Sequence, residues 1–248
     1  MIRPAPEWFL PRVFAHRCGG ALAPENTLAG LRVAAAMRMV AVEFDVMLSA
    51  DLTPWLIHDE TLERTTNGSG QVCKSADAQL RSLDAGAHQH RAFAGEPLAS
   101  LEAASLLCRE LGLMANVEIK PAAGFEAITG EVVARCIMEL WRGAPLPLVS
   151  SFSELALANA REVAPQLPLA CLWVRPPADW SDRMQVLGAF SLHCAAREID
   201  DAVLEAASRN GIPVLCYTVN DREQATGLFA RGVSSLFSDR IDIVHSDW

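Results

Sequence analysis

Between residues 101 and 239 the chain repeats one unit, a helix-patterned segment followed by a short apolar run. Helices are expected over 101–111, 125–141, 154–163, 181–187, 200–210 and 222–230, and strands over 114–120, 146–152, 167–173, 189–194, 212–219 and 235–239. Runs that are apolar throughout, rather than at alternate positions, bury both faces. Strands that alternate with helices pair in parallel. The same unit opens the chain: a strand over 12–17, a turn at Cys18-Gly19-Gly20, then a helix running from Pro24-Glu25-Asn26-Thr27 to about residue 38. Asn26 or Thr27 suits its cap, and Leu28, Leu31, Ala35 and Met39 recur at helical spacing. Nine apolar runs result, ending at His16, Val46, Asp59, Lys120, Phe152, Trp173, Cys194, Val219 and Asp239. The run ending at Asp59 follows its predecessor too closely for a parallel crossover and reads as the return arm of a hairpin. The remaining eight match a closed (β/α)8 TIM barrel. An open doubly wound sheet is the alternative, but the chain has no G-x-G-x-x-G or P-loop turn to support it.

With 248 residues, 51% of them hydrophobic, and no Gly/Ser/Pro-rich linker, the chain reads as a single domain over 1–248. Residues 60–100 break the α/β rhythm and are expected to form a small insertion over the site, with one short helix near 76–81. A net charge of −9 and a pI near 5.2 argue against nucleic acid or an anionic membrane surface as partner. No stretch is long and apolar enough to span a bilayer, and the proline-rich start lacks the apolar run of a signal peptide. Seven cysteines, an odd number without a Cys-x-x-Cys pair, point to a reducing compartment, so a cytoplasmic location is expected.

The stretch 40–59 is apolar at both ends yet contains Glu43, Asp45, His58 and Asp59. Charges in buried strands are costly unless they are paired or hold a metal. Glu43 and Asp45 share one face by alternation, and a turn centred on Asp51-Leu52 would set Asp45 opposite His58. In a barrel the working face lies at the C-terminal strand ends. Those ends carry His16 and Arg17, Glu43 and Asp45, Glu118 and Lys120, Ser151, Asn220 and Asp239. Three acids (Glu43, Asp45, Glu118) with no cysteine among them suit a hard divalent cation, Mg²⁺ or Ca²⁺. Arg17 and Lys120 then suit a phosphate, and His16 and His58 suit a base and an acid, since an imidazole near its ordinary pKa serves both roles at neutral pH. In-line phosphoryl chemistry needs those parts.

Plainer readings stand beside these. Glu43 and Asp45 pair with Arg17 and Lys120 as structural salt bridges in one of them, although such buried pairs seldom repay their desolvation. Glu25 is either a first-turn acid favoured by the helix dipole or a member of the site. Cys18 is a possible nucleophile but has no base of its own. His88, His90, His193 and His245 read as ordinary, and Lys74, Arg81 and Arg91 as solvated charges.

The motifs in order resemble the glycerophosphodiester phosphodiesterase family over most of the chain. They are His16-Arg17-Cys18 with Pro24-Glu25-Asn26-Thr27, Glu43 to Val46, His58-Asp59 with Arg64 to Gly68, Glu118 to Lys120, Ser150-Ser151-Phe152, Thr218 to Asn220 and Ser238 to Arg240. The resemblance implies a TIM barrel with an insertion after the second histidine and a divalent cation on Glu43, Asp45 and Glu118. It also implies acid/base roles for His16 and His58, and hydrolysis of a small-molecule phosphodiester to glycerol 3-phosphate and an alcohol. Arg17, Lys120, Glu25 and Tyr217 fall on its substrate side. A lysophospholipase-D-like enzyme and a catalytically silent phosphodiester-binding barrel are the alternatives; the oligomeric state stays open. Three positions depart from the pattern: Cys18 and Leu52 replace glycines, and Tyr217 replaces a common Trp. A residue at position 18 must therefore avoid positive φ or bear strain.

Overall fold

The structure, a computed structural model, describes residues 9–245; most of the proline-rich start, and the reading of it, lies outside the described residues. The strands are β1 (Val13–Ala15), β2 (Ala41–Leu48), β3 (Pro54–Leu56), β4 (Met114–Ile119), β5 (Leu148–Ser151), β6 (Leu169–Trp173), β7 (Ser191–Ala195), β8 (Val214–Tyr217) and β9 (Ser235–Ser238). The helices are α1 (Leu28–Ala36), α2 (Asp77–Leu80), α3 (Leu101–Leu111), α4 (Glu126–Leu140), α5 (Glu154–Val163), α6 (Trp180–Leu187), α7 (Asp201–Arg209) and α8 (Arg222–Ala230). Eight strands pair in parallel, and the sheet closes because β1 pairs with both β2 and β9. The fold is therefore the TIM barrel, and the open sheet is excluded. Antiparallel β3 hangs on β2 as the hairpin arm.

Alternation along each strand divides the side chains between two environments. One set, including Val42, Phe44 and Val46 of β2, Val117 of β4 and Val149 of β5, packs outward with the helices in the main core. The other set faces the barrel interior, where Phe14, Ala41, Leu148, Ala170, Leu215 and Phe237 form an apolar plug. Above the plug the inward positions turn polar: Ala41 gives way to Glu43 and Asp45 on β2, and Met114 to Asn116 and Glu118 on β4. This change of polarity makes the upper barrel a cavity rather than a core.

Local chemistry sets the helix ends. In α3, the Ser100 hydroxyl accepts from the Ala103 N–H, and Leu101, Ala104, Ser105 and Cys108 are buried at i, i+3, i+4 and i+7. The helix stops at Gly112, whose φ of 67° is left-handed. Thr27 caps α1 by accepting from the Gly30 N–H, which leaves Asn26 free for the site. That helix ends two residues before the expected position 38, because Arg38 takes φ 58°. A Cβ on Gly30 would lie 2.8 Å from the Cys18 Cβ, so glycine lets α1 close onto the turn that carries Arg17.

The hairpin register differs from expectation by one residue. Val46 faces Leu56 and Met47 faces Trp55, and the Ile57 N–H donates to the Asp45 carbonyl, so Asp45 lies opposite Ile57 rather than His58. The cause is a three-residue turn, Ala50-Asp51-Leu52, closed by the Ser49 N–H on the Thr53 carbonyl, with Leu52 left-handed at φ 61°. A one-residue slip would normally turn His58 to the wrong face. Here the chain leaves the strand after Leu56, and the bend brings the ring back to the cavity.

Residues 61–100 hold a satellite core of Leu62, Val72, Leu80, Ala85 and Leu98, packed on Met47, Trp55 and Ile57 of the hairpin. Asp77, at the start of the expected short helix, accepts from Ser49, Thr53 and Trp55. Glu96 accepts from the Ala29 N–H at 2.8 Å, tying the segment to α1. Among the described residues no helix is long and apolar enough to cross a membrane.

Candidate active site

A cavity of about 200 Å³ opens at the C-terminal end of the barrel. Its wall includes His16, Arg17, Glu43, Asp45, His58, Glu118, Lys120 and Tyr217, while Asn116, Ser150, His193 and Phe237 lie on the same lining. The two histidines, two cations, three acids and Tyr217 singled out from sequence all line this cavity, whereas Glu25, Cys18, Ser151, Asn220 and Asp239 stand outside its lining.

Glu43, Asp45 and Glu118 each offer an oxygen within 4.8 Å of the others. Neighbouring strands explain this: Asp45 and Glu118 are register partners across β2 and β4, and Glu43 sits two residues below Asp45. Glu43 and Asp45 are only 3% and 2% exposed, so their charges are largely cut off from water. Burial, and then the Asp45 charge, push the pKa of both Glu43 and Glu118 up from the ordinary carboxylate value. Two hydrogen bonds to Asn26 fix Asp45: its carboxylate accepts from the side-chain amide at 2.9 Å, and its backbone N–H donates to Asn26 Oδ1 at 3.1 Å. Glu43 accepts from the Arg17 backbone N–H at 2.9 Å, but its Oε1 is buried without a partner among the described residues.

The salt-bridge reading holds in part: Asp45 forms ion pairs with Arg17 and Lys120, and Lys120 also donates to Glu118, but all three contacts are long. Arg17 Nε lies 3.7 Å from Asp45, and Lys120 Nζ lies 3.4 Å from Glu118 and 3.9 Å from Asp45. Charge-assisted hydrogen bonds close to about 2.7–2.9 Å. The cations border the acids without satisfying them.

Both histidines are backed by a carboxylate. His16 Nδ1 meets Asp239 Oδ1 at 2.6 Å, and His58 Nδ1 meets Asp59 Oδ1 at 2.7 Å. An imidazole whose Nδ1–H is held in this way presents Nε2 to the other side. For His16, Nε2 lies 3.8 Å from Glu43; for His58, it lies 3.2 Å from Lys120 Nζ. An ammonium has only hydrogens to give, so His58 Nε2 accepts there. Burial lowers the His16 pKa, but the Asp239 hydrogen bond and the Glu43 charge outweigh it and the net shift is upward. At His58 burial prevails over Asp45 and Asp59, and the net shift is downward.

Glu25 accepts from Arg17 Nη1 at 3.1 Å and from Arg64 at 2.8 Å through both oxygens. From outside the lining it holds two guanidinium groups, that of Arg17 on the cavity wall and that of Arg64 beyond it. Burial opposes its ionisation, but Arg64 and Arg17 bring its pKa down. The Tyr217 hydroxyl donates to the Trp173 carbonyl at 3.0 Å, and its ring meets Phe152 edge-on at 6.1 Å. Cys18 is fully buried at φ 74°, so the strain alternative holds at that turn. Burial raises its thiol pKa well above the ordinary value, which leaves no exposed thiolate for nucleophilic attack.

Several polar groups escaped the sequence reading of the site. Asp239 and Asn220 were visible as polar strand ends, but their pairing with each other and with His16 was not. Nothing in the sequence marks Asp59 as the partner of the adjacent His58, or Asn116, whose Oδ1 is buried without a partner among the described residues, as more than part of a strand. His193, expected to be ordinary, sits on the cavity lining with Nε2 3.1 Å from Ser191 Oγ.

A barrel with this site has known relatives. Residues 16–243 match the glycerophosphoryl diester phosphodiesterase family. A glycerophosphodiester phosphodiesterase from Caldanaerobacter subterraneus subsp. tengcongensis is 30% identical over 230 residues, 92% of this chain and 93% of the relative. The solved structure of an Oleispira antarctica phosphodiesterase in complex with the product sn-glycerol-3-phosphate is 34% identical, with a TM-score of 0.91 over 94% of each chain. A glycerophosphodiester phosphodiesterase from Agrobacterium tumefaciens is 27% identical, with a TM-score of 0.75 over 94% of this chain and 98% of that one. On the extent of these matches and the order of its motifs, the chain belongs to the glycerophosphoryl diester phosphodiesterase family.

Proposed function

We propose that the chain hydrolyses glycerophosphodiesters to glycerol 3-phosphate and an alcohol, with His16 and His58 as the acid/base pair and a divalent cation, Mg²⁺ or Ca²⁺, held by Glu43, Asp45 and Glu118. One observation carries this reading: three clustered acids, two of them buried, two cations and two carboxylate-backed imidazoles share a single cavity of about 200 Å³. The donor set fits the ion. It is oxygen only, and the buried Glu43 Oε1 has no other partner among the described residues. When bound, a dication there would neutralise the acids and polarise a phosphoryl oxygen.

The chain's own residues do the rest. Arg17 and Lys120 border the acids and attract the phosphate; Glu25 orients Arg17 from outside. A phosphate beside Lys120 competes for its ammonium and frees His58 Nε2. One imidazole then takes the proton of the attacking hydroxyl as its oxygen bonds to phosphorus, and the other gives a proton to the departing alkoxide as its P–O bond breaks. Where that hydroxyl is the substrate's own rather than that of water, water opens the resulting cyclic phosphate with the same pair. Asp239 and Asp59 keep each ring in the tautomer that this needs. Tyr217 and Phe152 form one wall for the organic part of the substrate. We treat residues 60–100 as an insertion within a single barrel domain. The seven cysteines, all free, favour the cytoplasm.

A coupled assay for glycerol 3-phosphate released from glycerophosphocholine, with and without chelator, tests the proposal. Release that stops on chelation supports it. No release with any divalent cation removes it. Release from lysophosphatidylcholine alone selects the lysophospholipase-D-like alternative.

A further inference from the structure

Arg64 stands outside the cavity, on the insertion, with its side chain 46% exposed. Its guanidinium nevertheless makes four hydrogen bonds: Nε to Asp59 Oδ2 at 2.5 Å, Nη2 to Asp59 Oδ1 at 3.0 Å, and Nη1 and Nη2 to the two Glu25 oxygens at 2.8 Å each. An isolated surface ion pair is worth little. This one differs in what its partners do next. Asp59 accepts from His58 Nδ1, and Glu25 accepts from Arg17, so one fork joins the insertion to both sides of the site.

Asp59 and Glu25 share the same Nη2, so removing the guanidinium leaves two carboxylates close together with nothing between them. Asp59, 30% exposed, is then free to turn toward water, and the His58 ring loses the partner that fixes its tautomer. Lysine cannot substitute, because a single ammonium does not span both oxygens of Asp59 and both of Glu25. His16 does not depend on this device: a neutral amide, Asn220, holds Asp239 through bonds of 3.0 and 2.8 Å.

We propose that Arg64 is a positioning residue of the hydrolytic site, acting from the insertion through Asp59 to hold His58 with Nε2 toward the cavity. The proposal rests on the acid/base reading of His58. Its test uses the full chain with saturating divalent cation and glycerophosphocholine, comparing Arg64→Met, Arg64→Lys, Asp59→Asn, the Arg64→Met/Asp59→Asn double variant and His58→Ala. Arg64→Met is expected to lower kcat about 10- to 100-fold, the range for lost outer partners of a site group, with KM within about twofold. Arg64→Lys, which keeps charge but not the fork, should lose nearly as much and guards against a misfolded Met variant. In the Asp59→Asn background, Arg64→Met should change kcat by less than about twofold, because the route is already cut. Near wild-type kcat in Arg64→Met, a rise in KM alone, or an undiminished loss in the Asp59→Asn background would each overturn the proposal. Full activity in His58→Ala would remove the acid/base reading itself. An inactive His58→Ala beside an unaffected Arg64→Met would remove only the role of Arg64.

Discussion

His193 gives the sharpest stability test, because one buried ring contributes an amount that can be worked out. It is 1% exposed, and burial lowers its pKa to about 3 from the ordinary 6.5. The unfolded chain therefore takes up a proton at this residue between pH 6.5 and 3 that the folded chain refuses, so stability falls as pH falls through that window. Between pH 8 and pH 5 the difference in proton binding amounts to about 2 kcal/mol. His193→Asn keeps a polar partner for Ser191 and removes the titration. Urea unfolding of both proteins at pH 8 and pH 5 reads the effect: the wild type should lose about 2 kcal/mol more than the variant over that interval. Equal losses would mean that His193 titrates normally in the folded chain, contrary to its 1% exposure.

His16→Ala and His58→Ala should each reduce turnover by at least about a hundredfold, the lower range for a lost general acid or base, while calorimetric titration shows cation binding intact. Near wild-type turnover in either would cancel that residue's role. Leu52→Gly should stabilise the hairpin by up to about 1.5 kcal/mol, since relief of left-handed strain (about 1–2) equals or exceeds the entropy cost of glycine (about 0.5–1). A loss above about 1 kcal/mol on urea unfolding would show that the half-exposed Leu52 side chain packs more than its position indicates.

The barrel was legible because its strands are apolar on both faces and its helices carry the 3.6 period; neither signal needs distant partners. The acids were legible for the converse reason, as charges lodged inside apolar runs. What stayed hidden depended on closure or on single dihedrals. Asp239 lies 223 residues from His16 and meets it only because β9 closes against β1. The hairpin register turned on Leu52 adopting φ 61°, which a leucine does not advertise and a glycine would have. Glu25 read equally well as a helix-dipole acid or a site residue; the four nitrogen contacts from Arg17 and Arg64 give it a third role, holding guanidinium groups at the rim. Arg64 was visible within a motif, but nothing local marked its fork across two carboxylates.

Calorimetric titration of Mg²⁺ and Ca²⁺ into the wild type and Glu118→Gln, alongside glycerol 3-phosphate release at the same ion concentrations, tests the central claim most directly. One ion should bind the wild type, its affinity should fall at least about tenfold in Glu118→Gln, and activity should track occupancy in both proteins. Unchanged affinity in the variant, or release that persists in the chelated wild type, would contradict a cation held between Glu43, Asp45 and Glu118.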